Sequence, residues 1–230
     1  MKVKQDIKVA VDSIVFGYEN NQLFVLLIKQ KYGSLKNRWA LPGGFVKDNE
    51  PLKEAVTREL FEETGVKLTS LEQLFTFGDD IKRDPRFRVI SVAYFGTVNP
   101  KQLKIAAGTD AIEVKWFEIN SIPKLAFDHK IILKKAFERL KAKLNYQPIG
   151  FELLDSKFPF SDLENLYTSI LEKPIDRRNF RKKILSFGFL VETPEFKKIG
   201  SGRPAKLFEF KKKKYNELIK RGISFEIKFA

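Results

Sequence analysis

The segment from Gly43 to Val66, GGFVKDNEPLKEAVTRELFEETGV, places five glutamates in a chain whose formal net charge is +14. Between Pro51 and Thr64 its apolar residues recur at helical spacing, and Gly65 ends that pattern. The sequence therefore predicts one amphipathic helix with a strongly acidic outer face. That face needs a physical explanation in so basic a protein.

The acidic face is built around Glu59, Glu62 and Glu63, which are spaced i, i+3 and i+4 and so project from the same side of a helix. Like charges at this spacing repel, and a helix that keeps them together usually needs a cation among them. Hard cations such as Mg²⁺ take oxygen ligands. Arg58 can hold one carboxylate in place, and the LPGG turn at 41–44 can add a backbone carbonyl. A solvated helix with Glu/Lys pairs is the alternative.

The composition limits the classes of protein that the chain can represent. Its 230 residues allow one large domain or two small ones, and 43% hydrophobic residues with 22 Phe predict a packed, aromatic core. We expect no membrane span, since no run of 18 apolar residues occurs. The absence of Cys excludes disulfides and thiolate metal sites. The N-terminus lacks the features of a signal peptide, which favours the cytoplasm.

The pattern along the chain predicts an α+β protein of two domains, residues 1–145 and 146–230. The first mixes strands with the acidic helix and ends in a long junction helix that begins near Asp128. The second alternates short strands and helices. Its lysine run, Lys211–Lys214, is predicted to lie in solvent after the last strand. Strands are predicted at 7–18, 22–30, 88–98, 113–119, 148–154, 189–193 and 206–210, and further helices at 160–171 and 177–187.

The spacing of the acidic segment is similar to that of a known family motif. Gly44, five residues, Glu50, seven residues and then RELFEETGV (58–66) resemble a complete Nudix box. The resemblance implies a Nudix α/β/α sandwich over roughly residues 4–125 and metal-assisted cleavage of a nucleoside diphosphate linked to another moiety. It implies a Mg²⁺ or Mn²⁺ site. Its metal ligands would be Glu59, Glu62, Glu63 and the Gly43 carbonyl, and its catalytic residues Glu62, Glu63 and Arg58.

A basic loop before the strand at 88–98 indicates the ligand. It carries Lys82, Arg83, Arg86 and Arg88, and arginine suits both phosphate and purine rings. The motif RDPR followed by ISVAY resembles Nudix proteins close to the ADP-ribose pyrophosphatases, so the expected ligand is ADP-ribose or a related nucleoside diphosphate derivative. A solvated basic loop is the alternative.

The identity of a general base is left open. Many Nudix enzymes use an additional Glu from a loop near the last strands, and the corresponding loop here offers Asp110 and Glu113. Neither has a spacing that singles it out. The complete box makes a Mg²⁺-dependent hydrolase of the ADP-ribose pyrophosphatase type an expectation, without settling whether the chain cleaves, senses or does both.

Most of the excess positive charge lies near the C-terminus. Between Pro174 and Arg221 there are 15 basic residues and five acidic ones, a net charge of +10 for this segment. Charge concentrated in this way favours a nucleic acid partner over general solubility. The alternative is a basic helix that contacts only solvent or the first domain.

The order of elements after residue 146 is that of a winged helix-turn-helix domain. The helix that Asp176 opens would be the recognition helix, with its N-terminal residues near base edges, and the segment 197–206 would be the wing. Asn179 could read adenine, and the arginines guanine or phosphate. The predicted contacts with double-stranded DNA are Arg177, Arg178, Asn179, Arg181, Lys182, Arg203 and Lys206.

The pairing of these two domains, with AFDH at 126–129 and DRRNFRKKI at 176–184, resembles the Nudix-related transcriptional regulators of the NrtR type over nearly the whole chain. This resemblance implies a Nudix domain that senses ADP-ribose or a related metabolite, a winged helix that binds operator DNA, and target genes for NAD or sugar use. Many members have a degraded Nudix box, whereas the box here is intact. A plain Nudix pyrophosphatase with a basic tail for assembly or substrate attraction is the alternative.

Two further expectations concern assembly and the single histidine. One winged helix contacts a short site, so specific binding predicts a homodimer on a near-palindromic operator. His129 lies at the start of the junction helix. It is interpreted either as a hinge or ligand contact between the domains or as an ordinary helix-start residue in a polar interface.

Overall fold

The computed structural model of the chain describes residues 6–32, 36–68, 70–108, 110–198 and 202–230. The chain divides into two compact units. Unit 1 contains the residues up to Gly17 and Phe24–Arg139, and unit 2 contains Tyr18–Leu23 and Leu140–Ala230. Within the described residues, no helix is both long enough and apolar enough to cross a membrane.

Unit 1 is built on a seven-stranded mixed sheet. Its main path runs β3-β2-β1-β6-β5, with β4 paired to β1 and β7 paired to β2. The central strands β1 and β6 are parallel, and their near-continuous apolar runs suit strands that are buried on both faces. The strands are β1 (Ile7–Glu19), β2 (Gln22–Gln30), β3 (Trp39–Ala40), β4 (Gly43–Phe45), β5 (Glu72–Phe77), β6 (Arg88–Val98) and β7 (Ala111–Glu118).

The predicted acidic helix is present as α1 (Leu52–Thr64). It begins after Pro51, whose fixed φ suits a helix start. It ends at Gly65, which takes a left-handed φ of 72° and donates its N–H to the carbonyl of Phe61. Its apolar face, with Val56 and Leu60 fully buried, packs into the core formed with the sheet. This packing leaves Glu54 and Glu62 exposed, whereas Glu59 is half-buried and Glu63 is buried.

The junction helix is α2 (His129–Tyr146). It starts where the carbonyl of Asp128 accepts the N–H groups of Ile131 and Ile132. The division between the two units falls inside this helix, between Arg139 and Leu140. One continuous helix therefore contributes residues to both units.

Among its described residues, unit 2 contains a three-stranded antiparallel sheet in the order β8-β10-β9 and three helices besides the end of α2. The helices are α3 (Phe160–Leu171), α4 (Arg177–Ser186) and α5 (Lys212–Arg221), and the strands are β8 (Lys157–Pro159), β9 (Leu190–Lys197) and β10 (Ala205–Phe210). Helix α4 begins as predicted, because the Asp176 side chain accepts the N–H of Asn179. The core is aromatic: the ring of Phe151 stacks on that of Phe210 at 4.2 Å.

The strand predicted at 148–154 is wrong. This segment forms a short 3₁₀ turn at Phe151–Leu153 after Gly150, which has a φ of 94°. The backbone of Ile149 bonds to the hydroxyl group of Tyr167 instead of a neighbouring strand. The apolar residues are buried in a turn, which a period-two pattern cannot distinguish from a strand.

The end of the chain also differs from the prediction. The residues Lys212–Lys214 belong to helix α5, and β9 continues to Lys197, beyond the strand predicted at 189–193. The lysines are exposed, as expected of the run. The helix forms because Tyr215 packs on the rings of Phe189 and Phe210, a contact that the run of lysines does not reveal.

Candidate functional site

A cavity of about 550 Å³ lies in unit 1, lined by residues of β1, β4, α1 and the loop before β6. Its volume is in the range of small-molecule sites. The lining combines opposite charges: its acidic residues are Asp12, Glu59, Glu63, Asp84 and Asp110, and its arginines are Arg83 and Arg86. This combination suits a polyanionic ligand that is held by arginines and by a cation.

Glu63 is the most deeply buried carboxylate of α1, with 7% of its surface exposed. The N–H of Gly43 donates to its Oε2 at 2.8 Å. Burial raises the pKa of Glu63 to about 8, and the nearby charges of Glu59, Asp110 and Asp12 act in the same direction, against the Gly43 hydrogen bond. Positive charge in the cavity would stabilise the ionised form.

Arg58 binds several of the other glutamates. Its Nε lies 2.6 Å from Glu50, and its Nη1 donates to Glu59 at 2.7 Å and to Glu62 at 3.0 Å. The hydrogen bond from Arg58 lowers the pKa of Glu50 to about 2, whereas burial raises the pKa of Glu59. The repulsion predicted along the helix is thus partly offset by an arginine of the same helix.

The two glycines of the LPGG turn are required by close approach. A Cβ on Gly44 would lie 2.6 Å from the Glu59 carboxyl group. A Cβ on Gly43 would lie 2.2 Å from the carbonyl oxygen of Val11 in the neighbouring strand. Glycine at both positions lets the turn lie directly against the carboxylates.

A divalent cation at the turn would need several converging oxygen donors. Among the residues that the structure describes, no three His, Cys, Asp or Glu side chains converge as ligands of one ion. Glu59 and Glu63 line the cavity, whereas Glu62 does not and has 46% of its side chain exposed. Carboxylate oxygens beside a backbone turn are the donor type that Mg²⁺ prefers. These residues would fit such an ion if the Glu59 carboxylate released its hydrogen bond from Arg58 and bound the ion instead.

The structure separates the four basic residues predicted to hold the ligand. Arg83 and Arg86 line the cavity. Arg86 is oriented by Asp84 through bonds of 3.0 and 2.8 Å and stacks over the ring of Phe127 at 5.2 Å. Lys82 and Arg88 are not among the lining residues. Val89, the neighbour of Arg88 on β6, lines the cavity instead. Alternation along β6 directs these neighbours to opposite faces.

A buried polar cluster lies in the wall of the cavity, and His129 is the member of it that the sequence singled out. Asp12 is 6% exposed and accepts a hydrogen bond from Ser91. His129 is 5% exposed, and its Nδ1 accepts the N–H of Leu41 at 2.9 Å. Its Nε2 lies 3.4 Å from Asp12, and burial lowers its pKa, so the ring is neutral with the proton on Nε2. The available signal was Asp12 itself, a charged residue amid an apolar strand.

The predicted DNA-binding residues of α4 lie on its exposed side, opposite the buried Phe180 and Ile184. Arg203 and Lys206 are also exposed; Lys206 pairs with Glu192 at 2.6 Å. The Asn179 amide bonds to Asp176, and the Arg181 guanidinium packs over the ring of Phe160 at 4.5 Å. The wing residues 199–201 lie outside the described residues. The exposed α4 residues are Arg177, Arg178, Asn179, Arg181 and Lys182.

Comparison with known protein families supports both halves of this description. Residues 6–140 match the NUDIX domain family, and residues 150–210 match the NrtR DNA-binding winged helix domain. The chain belongs to the NrtR-type Nudix proteins. The Nudix match contains all of the cavity residues, and the winged helix match ends at the last residue of β10, so α5 lies beyond it.

Individual relatives of this NrtR-type chain extend the comparison. It is 34% identical over 212 residues to an Acinetobacter baylyi protein described as an ADPR responsive transcriptional repressor, covering 90% of this chain and 83% of the relative. It is 46% identical over 128 residues to an ADP-ribose pyrophosphatase of Methanocaldococcus jannaschii, covering 55% of this chain and 70% of the relative.

A solved structure resembles the whole chain. NrtR from Shewanella oneidensis, crystallised with a 27mer DNA, is 32% identical with a TM-score of 0.79, and the match covers 90% of this chain and 95% of that one. The NUDIX domain of the same protein has been crystallised with ADP ribose and matches 60% of this chain and 90% of that one, with a TM-score of 0.56.

Proposed function

We propose that the chain is a transcriptional repressor whose affinity for operator DNA responds to ADP-ribose bound in the cavity of unit 1. The observation that carries this proposal is the match of a single relative, an ADP-ribose-responsive repressor, across both units. The match of unit 2 to a DNA-binding family argues against a basic tail that serves only assembly or substrate attraction.

The cavity suits the chemistry of ADP-ribose. Arg83 and Arg86 would contact the diphosphate, and Phe127 and Phe45 offer flat surfaces beside Arg86 for a base or sugar. Arginine forms bidentate pairs with phosphate. We retain Lys82 and Arg88 only as more distant charges, since neither lines the cavity.

We further propose a divalent cation, Mg²⁺ or Mn²⁺, held by Glu59, Glu63 and the Gly43 carbonyl, with Glu62 as a more distant ligand or aid to water activation. When bound, the ion would neutralise the diphosphate and lower the pKa of an attacking water. Arg58 would orient the glutamates. The intact Nudix box and the similarity to an ADP-ribose pyrophosphatase support hydrolysis of ADP-ribose, at a low or a full enzymatic rate, as a second activity. Asp110 lines the cavity, unlike Glu113, and is the better candidate base.

For DNA we propose the winged-helix mode. The exposed side of α4 would enter the major groove, and the hairpin of β9 and β10 would contact the backbone with Arg203 and Lys206. A homodimer would supply two such helices for a near-palindromic operator. Such a regulator would act in the cytoplasm. The proposed α4 contacts are Arg177, Arg178, Asn179, Arg181 and Lys182.

The deciding experiment is an electrophoretic shift with duplex DNA from upstream of the chain's own gene. We expect a specific complex that ADP-ribose dissociates and that an unrelated duplex of equal length does not form. A parallel assay with ADP-ribose and Mg²⁺ measures hydrolysis. No shift with upstream DNA, or a shift that ADP-ribose leaves unchanged, would contradict the proposal.

A further inference from the structure

Arg83 occupies an unusual position in the wall of the cavity. Its side chain is 5% exposed, and its Nε and Nη2 pair with the two oxygens of Asp128 at 2.9 and 2.7 Å. The same Nη2 lies 3.8 Å from Asp12. Arg83 also lines a second groove of about 400 Å³ between β5 and α2, together with Asp128. This guanidinium therefore lies between the ligand cavity and the first turn of α2.

The partner of Arg83 is Asp128, the residue that immediately precedes α2. The carbonyl of Asp128 accepts the N–H groups of Ile131 and Ile132 at 2.8 and 3.2 Å. A movement of Asp128 that includes its backbone would therefore displace the first hydrogen bonds of the helix. Because α2 is continuous to Tyr146 and its residues beyond Arg139 belong to unit 2, its first turn is well placed to influence both units.

His129 makes a second connection between the same helix and the same cavity. It is the first residue of α2, and its Nδ1 holds the N–H of Leu41, two residues before the Gly43 that binds Glu63. Its other nitrogen faces Asp12, the residue near Arg83. Two neighbouring residues at the start of α2 are thus bonded to the two sides of the cavity wall.

A diphosphate in the cavity would compete with Asp128. A phosphate offers two oxygens in the geometry of a carboxylate, and guanidinium pairs with either in the same bidentate manner. One edge of Arg83 cannot bind both partners at once. The Asp128 side chain is only 14% exposed, so once it loses its partner we expect it to move or find another, because a largely desolvated charge without a partner is disfavoured.

We propose that Asp128 and His129 are positioning residues that connect the ligand cavity to α2, and that the diphosphate of the ligand competes with Asp128 for Arg83. Ligand binding then frees Asp128 and alters the first turn of α2, while His129 keeps the Leu41–Gly44 turn in register with that helix. This inference rests on the proposed function, because it explains how occupancy of the cavity reaches the DNA-binding unit. A ligand can shift the equilibrium only through such a difference between two states.

The test compares full-length wild type with Asp128→Asn. The affinity for a fluorescent upstream duplex is measured without ADP-ribose and with saturating ADP-ribose, with Ca²⁺ in place of Mg²⁺ to slow hydrolysis. The ratio of the two dissociation constants is the coupling factor, which for wild type we expect within the roughly 5–150-fold range usual for allostery. In Asp128→Asn we expect tighter ADP-ribose binding by calorimetry and a coupling factor close to one.

The control is Asp79→Asn, which removes the same charge from an exposed residue of the neighbouring groove and should keep the wild-type coupling factor. If Asp128 were only structural, its variant would bind ADP-ribose more weakly and keep the coupling factor. That result would overturn the inference and leave the proposed function intact. A wild type that lacks any response to ADP-ribose would instead contradict the proposed function.

A pair of His129 variants separates its two contacts. His129→Asn keeps an acceptor near the position of Nδ1 for Leu41, and His129→Gln keeps a donor near the position of Nε2 for Asp12. We expect His129→Asn to retain more of the ADP-ribose affinity, because it preserves the bond to the turn. The exposed Lys130→Ala serves as the neighbouring control, and thermal melts check folding. Equal ADP-ribose affinity in wild type and both variants would remove His129 from the proposal.

Discussion

Arg58 of α1 is bonded to three glutamates, whereas most basic residues of α4 are exposed to solvent. The side chains of Arg58, Glu50 and Glu59 are each less than a fifth exposed. Partly buried and mutually bonded charges are fixed in position, so they suit a small ion or a diphosphate whose geometry is defined. Exposed charges on a rigid helix suit a long polyanion, along which many contacts share the binding energy.

The comparison also explains how each helix is oriented. Helix α1 is fixed by Gly65 at its end and by the apolar residues that pack on the sheet. Helix α4 is fixed by the Asp176 cap and by Phe180 and Ile184 in the aromatic core. In both helices, a short apolar face packs on the core and so determines which charged side chains face outward. The expected binding partners of the two helices differ because the sign and the burial of those charges differ.

The largest expected effect is at the buried glutamate of α1. Glu63→Gln should lower Mg²⁺-dependent hydrolysis of ADP-ribose by more than about 100-fold, because outer-shell changes at metal sites already cost 10–100-fold. Formation of AMP at fixed enzyme concentration measures the change, and circular dichroism checks the fold. Turnover near that of wild type would mean that α1 is not the cation site.

A smaller effect is expected on α4. If Arg178 reads a base, Arg178→Ala should weaken binding to the upstream duplex by about 1–3 kcal/mol, roughly a 5- to 150-fold rise in Kd. Fluorescence anisotropy measures the Kd, and a melt should be unchanged because the side chain is exposed. Wild-type affinity in this variant would show that the exposed face of α4 does not read DNA.

Arg181 should behave differently from Arg178. Its guanidinium packs over Phe160 at 4.5 Å and over Phe208 at 5.2 Å. Arg181→Ala should therefore lower the stability of the winged helix by about 0.5–1 kcal/mol, the usual value of an exposed cation–π contact, in addition to weakening DNA binding. Urea unfolding of both variants tests the difference, and identical unfolding curves would contradict it.

The smallest effect is expected at the lysines of α5. Replacing Lys212, Lys213 and Lys214 together by Gln should leave the salt dependence of DNA binding nearly unchanged. Each phosphate contact that is lost would reduce the slope of log K against log salt by about 0.9. Titrations at several salt concentrations measure this slope. If the magnitude of this slope fell by two or more, on the order of two to three lost phosphate contacts, α5 would belong to the DNA-binding surface.

Much of the fold could be predicted from periodicity and end signals. The strands at 22–30 and 88–98, helix α1 and the cap of α4 agree with the structure, because each is fixed by local residues such as Gly65 and Asp176. The strand at 148–154 failed because its residues are held by a distant hydroxyl group, that of Tyr167. Helix α5 was missed because its apolar residues are few among many lysines.

The sequence by itself determined the acidic helix with its Nudix box and the basic helix that Asp176 opens, since these depend on spacing within short segments. The division at 145/146 stays a prediction, because the structure divides the chain between Arg139 and Leu140 and places Tyr18–Leu23 in unit 2. Only the tertiary structure decided which charges share a site. It brought Asp12 to Ser91, 79 residues away, and Leu41 to His129, 88 residues away. It also placed Arg83 in the cavity wall and excluded Arg88. Such convergence depends on strand register and long-range packing, and neither of these leaves a local pattern in the chain.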